Sequence, residues 1–189
     1  LPFMVAALLA GGQSKRMGTP KAELQIAGQP LWQYQLHKLM PLPVDGGVYI
    51  CTKENQPWEI PDEVRFLYDT YPGGGPLATL YSLMQQRHAQ FYLLLAVDLP
   101  NMSAGWLQDL CERTQKAQTG IIAKDTEFYQ PLAATYPRDA MPVIEEFIHG
   151  EDKSMHRLVK KLLHANLMQT KTLTDAETPL FENWNHPPK

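Results

Sequence analysis

The sequence predicts a three-layer α/β/α domain with a mostly parallel sheet. Short apolar runs of strand length alternate with longer segments in which apolar residues recur at helical spacing. Alternation of this kind implies right-handed crossover connections, which place helices on both faces of a parallel sheet. With 189 residues, the chain has the length of one domain that buries a substantial core.

The elements follow one another in a regular order up to Gly120 and less regularly after it. The predicted strands cover residues 4–9, 48–51, 64–68, 91–97, 120–123 and 130–136. The predicted helices cover residues 30–40, 76–87, 103–116, 139–149 and 154–164. Proline in the first turn supports the first of these helices, and Ser103 is the expected N-cap of the third.

Composition and charge exclude several functional classes. The net charge of -3 and the absence of a long Lys/Arg run argue against a surface that coats nucleic acid. Cys51 and Cys111 are too few and too far apart in sequence to suggest a disulfide framework or a zinc site. No apolar run reaches the roughly 20 residues of a membrane span, and residues 1–10 lack the basic region of a signal peptide. We therefore expect a cytoplasmic protein that binds neither membrane nor nucleic acid and is by default a monomer.

The segment that joins the first strand to the first helix carries the strongest motif. Residues 8–24 read LLAGGQSKRMGTPKAEL, with two adjacent glycines, a basic cluster, a third glycine and a Pro-Lys pair. Gly11 and Gly12 lack a Cβ, so their backbone can adopt positive φ and turn N–H groups toward anionic oxygens. Ser14 adds a hydroxyl, and three cations follow in the same loop, namely Lys15, Arg16 and Lys21. The loop has the donors and charge to hold a triphosphate, but it has no nucleophile.

Two common phosphate-binding patterns do not fit this loop. Gly18 is followed by Thr19-Pro20, not by the Lys-Ser/Thr of a Walker motif, and the adjacent glycines break the spacing of the dinucleotide fingerprint. LAGGQSKRMGTPKAEL resembles instead the signature L-A-G-G-x-S-x-R-M-G-x-x-K of the nucleotidyltransferases related to the molybdenum cofactor guanylyltransferase. That resemblance implies a Rossmann-like nucleotidyltransferase fold.

Two carboxylates follow later strands. Asp69 follows the third strand and Asp98 the fourth, so both are expected at the carboxyl edge of the sheet, beside the first loop. From the residues alone, Asp98 before Leu99-Pro100 is equally well explained as a metal ligand or as the start of a turn. The segment VDLPNM resembles the family's D-x-P, which implies that Asp98 binds the Mg²⁺ that bridges the nucleotide phosphates.

The glycine-rich segment after Asp69 also has a family counterpart. Residues 73–78 read GGGPLA and resemble the turn G-P-L-A-G-[IL], which implies that Gly75 lies against the nucleotide at a helix N-terminus. Thr79 stands where the family usually has a further glycine. Asp69 matches an acidic position that lies near the nucleotide in guanylyl-transferring relatives. Without the resemblance, a tight glycine turn and a solvated carboxylate explain these residues as well.

The second half of the chain carries weaker matches in the expected order. Residues 130–136 resemble x-P-L-x-A-x-Y, and residues 181–187 resemble F-x-N-x-N-T-P, with His186 in place of threonine. Asn183 and Asn185 are two residues apart and would lie on one side of a strand. The resemblance implies one nucleotidyltransferase domain over residues 1–189, with a nucleotide-binding half of about residues 1–100 and an acceptor-binding half of about residues 101–189.

The resemblance further implies a reaction, in which GMP passes from GTP to molybdopterin, with or without molybdenum, and pyrophosphate leaves. The implied catalytic residues are Arg16, Lys21 and Asp98. The implied nucleotide-binding residues are Leu9, Ala10, Gly11, Gly12, Ser14, Lys21, Asp69, Gly75 and Asp98. The implied acceptor-binding residues are Asn183 and Asn185. Mg²⁺ is the implied cofactor, and a molybdenum-insertion protein and apo-molybdoenzymes are implied partners.

Three alternatives are open at this stage. A cytidylyltransferase acting on the same pterin would more often carry L-A-A-G, whereas residues 9–12 read LAGG and favour guanine. A nucleotidyltransferase that transfers a nucleotide to a sugar phosphate or another small phosphate is the second alternative. A GTP-binding module that delivers the cofactor without turnover belongs to a different class.

Overall fold

The computed structural model describes residues 1–11, 13–14, 19–71, 73 and 75–184. The strands in this part of the chain are β1 (Met4–Leu9), β2 (Gln13–Ser14), β3 (Thr19–Pro20), β4 (Gln25–Ile26), β5 (Gln29–Pro30), β6 (Val48–Thr52), β7 (Val64–Tyr68), β8 (Phe91–Ala96), β9 (Gly120–Lys124), β10 (Tyr129–Gln130), β11 (Ala133–Pro137) and β12 (Met168–Thr172). The α-helices are α1 (Leu31–Leu39), α2 (Gly75–Gln86), α3 (Ala104–Ala117), α4 (Met141–His149) and α5 (Met155–His164). Short 3₁₀ helices cover Lys21–Glu23, Arg138–Ala140 and Thr178–Phe181. Within the described ranges, no helix is both long enough and apolar enough to cross a membrane.

The main sheet has five strands in the order β11-β8-β1-β6-β7. Strand β1 pairs in parallel with β6 and β8, and β6 pairs in parallel with β7. Among the described strands of this sheet, only the edge strand β11 runs antiparallel to its neighbour. A smaller sheet, β10-β9-β12, lies beside β11, where the Ile121 N–H donates to Thr135 Oγ1 at 2.9 Å. The prediction of a mixed fold with a mostly parallel sheet is confirmed.

The core lies in two layers, one on each face of the main sheet. Strand β8 is buried along its whole length, so its alternating side chains enter both layers. Phe91, Leu93 and Leu95 pack with apolar residues of α1 and α3 on one face. Tyr92 and Leu94 pack with those of α2, α4 and α5 on the other. Helices therefore cover both faces, which gives the three layers that the sequence predicts.

Most predicted elements lie within a residue or two of their observed bounds. The Ser103 hydroxyl accepts the Trp106 N–H at 3.0 Å, so Ser103 is the N-cap of α3 as expected. The strand predicted over residues 130–136 is in fact two strands, β10 and β11. Pro131 and Leu132 turn the chain between them, and the Leu132 carbonyl accepts the Ala96 N–H at 2.8 Å. Strand β12 was not among the predicted strands.

The connection that precedes β6 is held tightly against the start of β1. The Gly46 N–H donates to the Met4 carbonyl at 2.8 Å, and the Asp45 carboxylate accepts the N–H groups of Phe3 and Met4, each at 2.9 Å. A Cβ at Gly46 would lie 2.6 Å from Val5 Cγ2 and 2.7 Å from the Met4 carbonyl oxygen. This turn therefore has no space for a side chain.

Gly46→Ala should destabilise the protein because the new methyl group must displace the start of the central strand. We expect a loss of about 1–3 kcal/mol, measured as a lower midpoint in thermal unfolding. Gly105→Ala is the matched control, since a Cβ there meets nothing within 4 Å and the residue lies in α3. Alanine favours helix, so this control should keep or raise the midpoint. Equal midpoints for both variants would contradict the steric argument.

Candidate functional site

A cleft lies at the carboxyl edge of the main sheet. Strands β1, β6, β7 and β8 are mutually parallel neighbours, so the residues that follow them gather at this edge. The cleft has a volume of about 210 Å³. Its lining consists of Leu9, Gly11, Lys21, Cys51, Lys53, Asp69, Gly75, Pro76, Thr79, Ala96, Val97, Asp98 and Leu132.

Asp98 and Lys21 face each other across one side of the cleft. Asp98 lies two residues beyond β8, and Lys21 begins a 3₁₀ helix that is anchored by the fully buried Ala22. Lys21 Nζ lies 3.4 Å from Asp98 Oδ2, and about a quarter of the Lys21 side chain and a fifth of the Asp98 side chain are exposed. This distance is long for a charged hydrogen bond, so the pair is loose. A phosphate oxygen can therefore approach Lys21, and a cation can approach Asp98.

Asp69 follows β7 on another side of the cleft. The Thr79 hydroxyl donates to Asp69 Oδ2 at 3.0 Å. Asp69 Oδ1 is buried and has no hydrogen-bond partner among the residues that the structure describes. Burial raises the pKa of Asp69, and the Thr79 hydrogen bond and the Lys53 charge offset this only in part. The site thus holds a destabilised carboxylate with one oxygen free to accept a hydrogen bond.

The N-terminal turn of α2 forms the part of the cleft beside Asp69. Gly75 begins the helix at a φ of +56°, a left-handed conformation that favours glycine. Gly75, Pro76 and Thr79 line the cleft, so the positive end of the helix dipole is directed at its contents. Thr79, the departure from the family pattern, uses its hydroxyl to orient Asp69.

Lys53 also lines the cleft, although it was not predicted as a site residue. It is exposed and follows β6 directly, so the rule that located Asp69 and Asp98 also applies to it. Its charge acts on Asp69 and lowers the pKa of that carboxyl. A Cβ at Gly11 would lie 3.5 Å from Lys53 Cγ, an ordinary contact distance.

The conformational expectation for Gly11 is corrected by the structure. Its φ does not lie in the left-handed region, which the cleft residue Gly75 occupies with a φ of +56°. Gly11 instead packs against the backbone and stem of Lys53, at the end of the neighbouring strand.

Cys51, the cysteine in the cleft, is not a nucleophile. The described carboxylates of the cleft do not form a metal-binding cluster. Burial and the charge of Asp69 both raise the pKa of the Cys51 thiol, so it stays protonated at neutral pH. In the described ranges, no three His, Cys, Asp or Glu side chains come together as a metal cluster. Asp98 with a loosely held lysine suits a cation that takes its remaining ligands from water and from a phosphate ligand, which is the usual binding mode of Mg²⁺.

The structure brings six of the expected site residues together in this cleft. They are Leu9, Gly11, Lys21, Asp69, Gly75 and Asp98. Ala10 is buried behind them, where its N–H donates to the Cys51 carbonyl at 3.0 Å. The Ser14 backbone pairs with Thr19 in the β2–β3 hairpin, but its side chain is not among the described parts.

Of the four remaining expected residues, the structure describes Asn183. Asn183 is exposed, and its neighbour Trp184 donates its backbone N–H to the Asp98 carbonyl at 2.8 Å. That hydrogen bond joins Trp184 to the backbone of a cleft residue. Gly12, Arg16 and Asn185 lie outside the described residues.

Comparison with known proteins identifies the family. Residues 6–166 match the family model described as the MobA-like NTP transferase domain. The chain is 32% identical over 187 residues to a protein of Opitutus terrae named probable molybdenum cofactor guanylyltransferase, covering 97% of this chain and 91% of that one. A Geobacillus protein of the same name is 27% identical over 192 residues, with 97% and 94% covered.

A solved structure shares the fold. The crystal structure of molybdopterin-guanine dinucleotide biosynthesis protein A from Archaeoglobus fulgidus superposes with a TM-score of 0.78 at 22% sequence identity, covering 97% of this chain and 93% of that one.

Asp69→Asn should stabilise the protein at neutral pH because it removes a buried charge. The folded-state pKa of Asp69 is raised above its ordinary value of 3.8. The contribution of this group to stability is therefore greatest below that value and falls as the pH rises through the raised pKa. We expect the variant to unfold a few degrees higher than the unchanged protein at pH 7, with the difference shrinking below about pH 4.

Asp109→Asn is the control for this experiment, since Asp109 is 43% exposed and pairs with Arg113 on the surface of α3. It should not raise the midpoint at pH 7. A midpoint for Asp69→Asn that is unchanged or lower at pH 7 would show that the ionised carboxylate is not destabilising in the fold.

Proposed function

The chain belongs to the MobA-like NTP transferase family, and we propose that it transfers GMP from GTP to molybdopterin or its molybdenum-loaded form. The products are the guanine dinucleotide form of the cofactor and pyrophosphate. The observation that carries this proposal is the cleft in which Lys21 and Asp98 meet beside Asp69 and the N-terminus of α2. Relatives named probable molybdenum cofactor guanylyltransferase match nearly the whole chain and support the choice of substrates.

Asp98 is the proposed ligand of Mg²⁺. Its carboxylate lies at the end of a buried strand, and its backbone is fixed by the Trp184 N–H, so its position is well defined. Bound there, Mg²⁺ would neutralise charge on the triphosphate and favour departure of pyrophosphate. The other ligands would be phosphate oxygens and water, as the donor set of the cleft requires.

Cations of the chain hold the triphosphate in this proposal. Lys21 is placed to donate to a phosphate oxygen from its position beside Asp98. The N-terminal turn of α2 adds backbone donors and the positive end of its dipole. Arg16, which lies outside the described residues, is assigned to the same task by its place in the motif. Because the N-terminal turn of α2 is part of the fold before a ligand binds, its donors can stabilise charge as it develops on the leaving group.

The attacking group comes from the acceptor substrate. A phosphate monoester is largely ionised at neutral pH, so its oxygen can attack the α-phosphorus of GTP without a general base. The bond that forms joins the acceptor phosphate to the α-phosphorus, and the bond that breaks releases pyrophosphate. The contribution of the protein is positioning and charge stabilisation.

Nucleotide recognition is assigned to the other side of the cleft. The free Asp69 Oδ1 can accept an N–H or O–H donor from the base or ribose of the nucleotide. Satisfying this buried oxygen would offset the cost of its burial. The remaining proposed nucleotide contacts come from Leu9, Ala10, Gly11, Gly12, Ser14 and Gly75.

The acceptor is assigned to the second half of the chain. Residues of about 1–100 supply the nucleotide-binding part, and residues of about 101–189 supply the acceptor-binding part. Asn183 and Asn185 are the proposed acceptor contacts. Asn183 directly precedes Trp184, whose N–H donates to the carbonyl of the cleft residue Asp98, and this supports the proposal for Asn183. A cytoplasmic monomer that hands its product to apo-molybdoenzymes, after contact with a molybdenum-insertion protein, completes the proposal.

Release of pyrophosphate with a panel of substrates tests the proposed reaction. Purified protein with Mg²⁺ and molybdopterin should release pyrophosphate from GTP much faster than from CTP or ATP. A preference for CTP would transfer the protein to the cytidylyl branch. Turnover with sugar phosphates and none with the pterin would replace the acceptor, and GTP binding without any turnover would favour a delivery module.

Asp98→Ala should abolish metal-dependent turnover because it removes the proposed Mg²⁺ ligand. The fold should be retained, because the Asp98 side chain is partly exposed and its one ionic partner among the described residues is the loosely held Lys21. We expect the rate of pyrophosphate release to fall at least about a hundredfold, which corresponds to about 2.7 kcal/mol of transition-state stabilisation. Asp109→Ala on the surface of α3 serves as the control and should keep the original rate. Retained turnover in Asp98→Ala would remove Asp98 from the metal site.

A further inference from the structure

Helix α1 carries a buried glutamine on its core face. Leu31, Leu36 and Leu39 on that face are fully or almost fully buried, and Gln35 is likewise 0% exposed. A buried amide is costly unless its donors and acceptor are hydrogen-bonded. Gln35 finds its partners in the loop that carries Asp98.

The amide nitrogen of Gln35 contacts three carbonyl groups around Asp98. Gln35 Nε2 lies 2.8 Å from the Leu99 oxygen, 3.3 Å from the Val97 oxygen and 3.5 Å from the Ala96 oxygen. An amide has two N–H groups, so one donates to Leu99 and the other is shared between Val97 and Ala96. The glutamine therefore fastens the backbone on both sides of Asp98.

Lys38, one turn further along α1, sets the orientation of that amide. Lys38 Nζ lies 2.6 Å from Gln35 Oε1 and 2.8 Å from the Pro100 carbonyl oxygen. An ammonium group can only donate, so Gln35 Oε1 must face Lys38 and Nε2 must face the loop carbonyls. Burial lowers the pKa of Lys38 to about 8, so the ammonium form predominates at pH 7.

Together these contacts hold five consecutive carbonyl groups. Those of residues 96, 97 and 99 accept from Gln35, that of residue 100 accepts from Lys38, and that of Asp98 accepts from the Trp184 N–H. A loop beyond a strand ordinarily exposes such groups to water and moves accordingly. Here the backbone that carries the Asp98 side chain is fixed to α1 and to the C-terminal segment.

We propose that Gln35 and Lys38 form a latch that positions Asp98 for the metal and the nucleotide. They are positioning residues, since they act through the backbone of the Asp98 loop and do not line the cleft in the described part of the chain. The inference rests on the proposed function, because only there is Asp98 a metal ligand. Without the latch, the loop is free to shift and the carboxylate loses its fixed place opposite Lys21.

Three variants separate a positioning role from a general loss of stability. Gln35→Met keeps the length of the side chain and removes its donors and acceptor. Lys38→Met removes the group that orients the amide, and Lys38→Arg keeps a donor there. Thr114→Val is the matched control, because it removes a buried hydroxyl contact with Thr135, 2.7 Å away, between α3 and β11.

The experiment measures Mn²⁺ affinity in the presence of GTP, by electron paramagnetic resonance, and hydrogen exchange of the backbone amides of Asp98, Leu99, Asn101 and Met102. Gln35→Met and Lys38→Met should weaken Mn²⁺ binding about tenfold and speed exchange in that loop. Lys38→Arg should retain most of the affinity. Thr114→Val should lower the unfolding temperature without changing either readout. Native affinity and native loop exchange in Gln35→Met would overturn the proposal, and so would equal effects in Thr114→Val.

The two readouts keep this proposal distinct from the proposed function. If the unchanged protein binds no Mn²⁺ with GTP, the proposed function fails, and loop exchange alone then decides whether the latch exists. If Gln35→Met does not fold, Lys38→Met decides, because Lys38 is only half-buried and its removal leaves the core face of α1 intact.

Discussion

Parallel pairing of β1 with both of its neighbours is the constraint on which the rest of the molecule depends. The register places Leu9 beside Cys51 of β6 and Ala96 of β8, so these three strands end at the same level. The chain beyond each end then supplies a cleft residue. Backbone hydrogen bonding, and not attraction between the cleft side chains, brings these residues together.

The cleft carries charges that the fold does not neutralise well. The ion pair between Lys21 and Asp98 is loose, and one oxygen of Asp69 is buried without a partner in the described ranges. The destabilisation that these groups cause is offset by the apolar core on both faces of the sheet and by hydrogen bonds such as those of Gln35 behind the cleft. Poorly satisfied polar groups at the rim of a well-packed domain are typical of a site that gains its missing partners from a ligand.

Local sequence patterns were sufficient to predict the strands and helices that form the cleft. They were insufficient to predict contacts between residues that are distant in sequence. The bounds of β1 follow from an apolar run that ends just before a glycine pair, and the position of Asp69 and Asp98 follows from the rule that residues after parallel strands gather at one edge of the sheet. Strand β12 was not predicted, because Gln169, Thr170 and Lys171 show no alternation of apolar and polar residues and the partner strand β9 is distant in sequence.

Single polar residues were equally hard to interpret from sequence. Lys53 resembles any surface lysine, although its place directly after a parallel strand was a usable signal. Gln35 interrupts the apolar face of α1, and a polar residue on a core face indicates a buried contact without identifying its partner.

Titration calorimetry of the native chain with GTP, CTP and ATP, each with and without Mg²⁺, tests the site most directly. Our interpretation predicts GTP binding that requires Mg²⁺ and is tighter than that of CTP or ATP. Equal binding of all three nucleotides without the metal, or no binding at all, would contradict it.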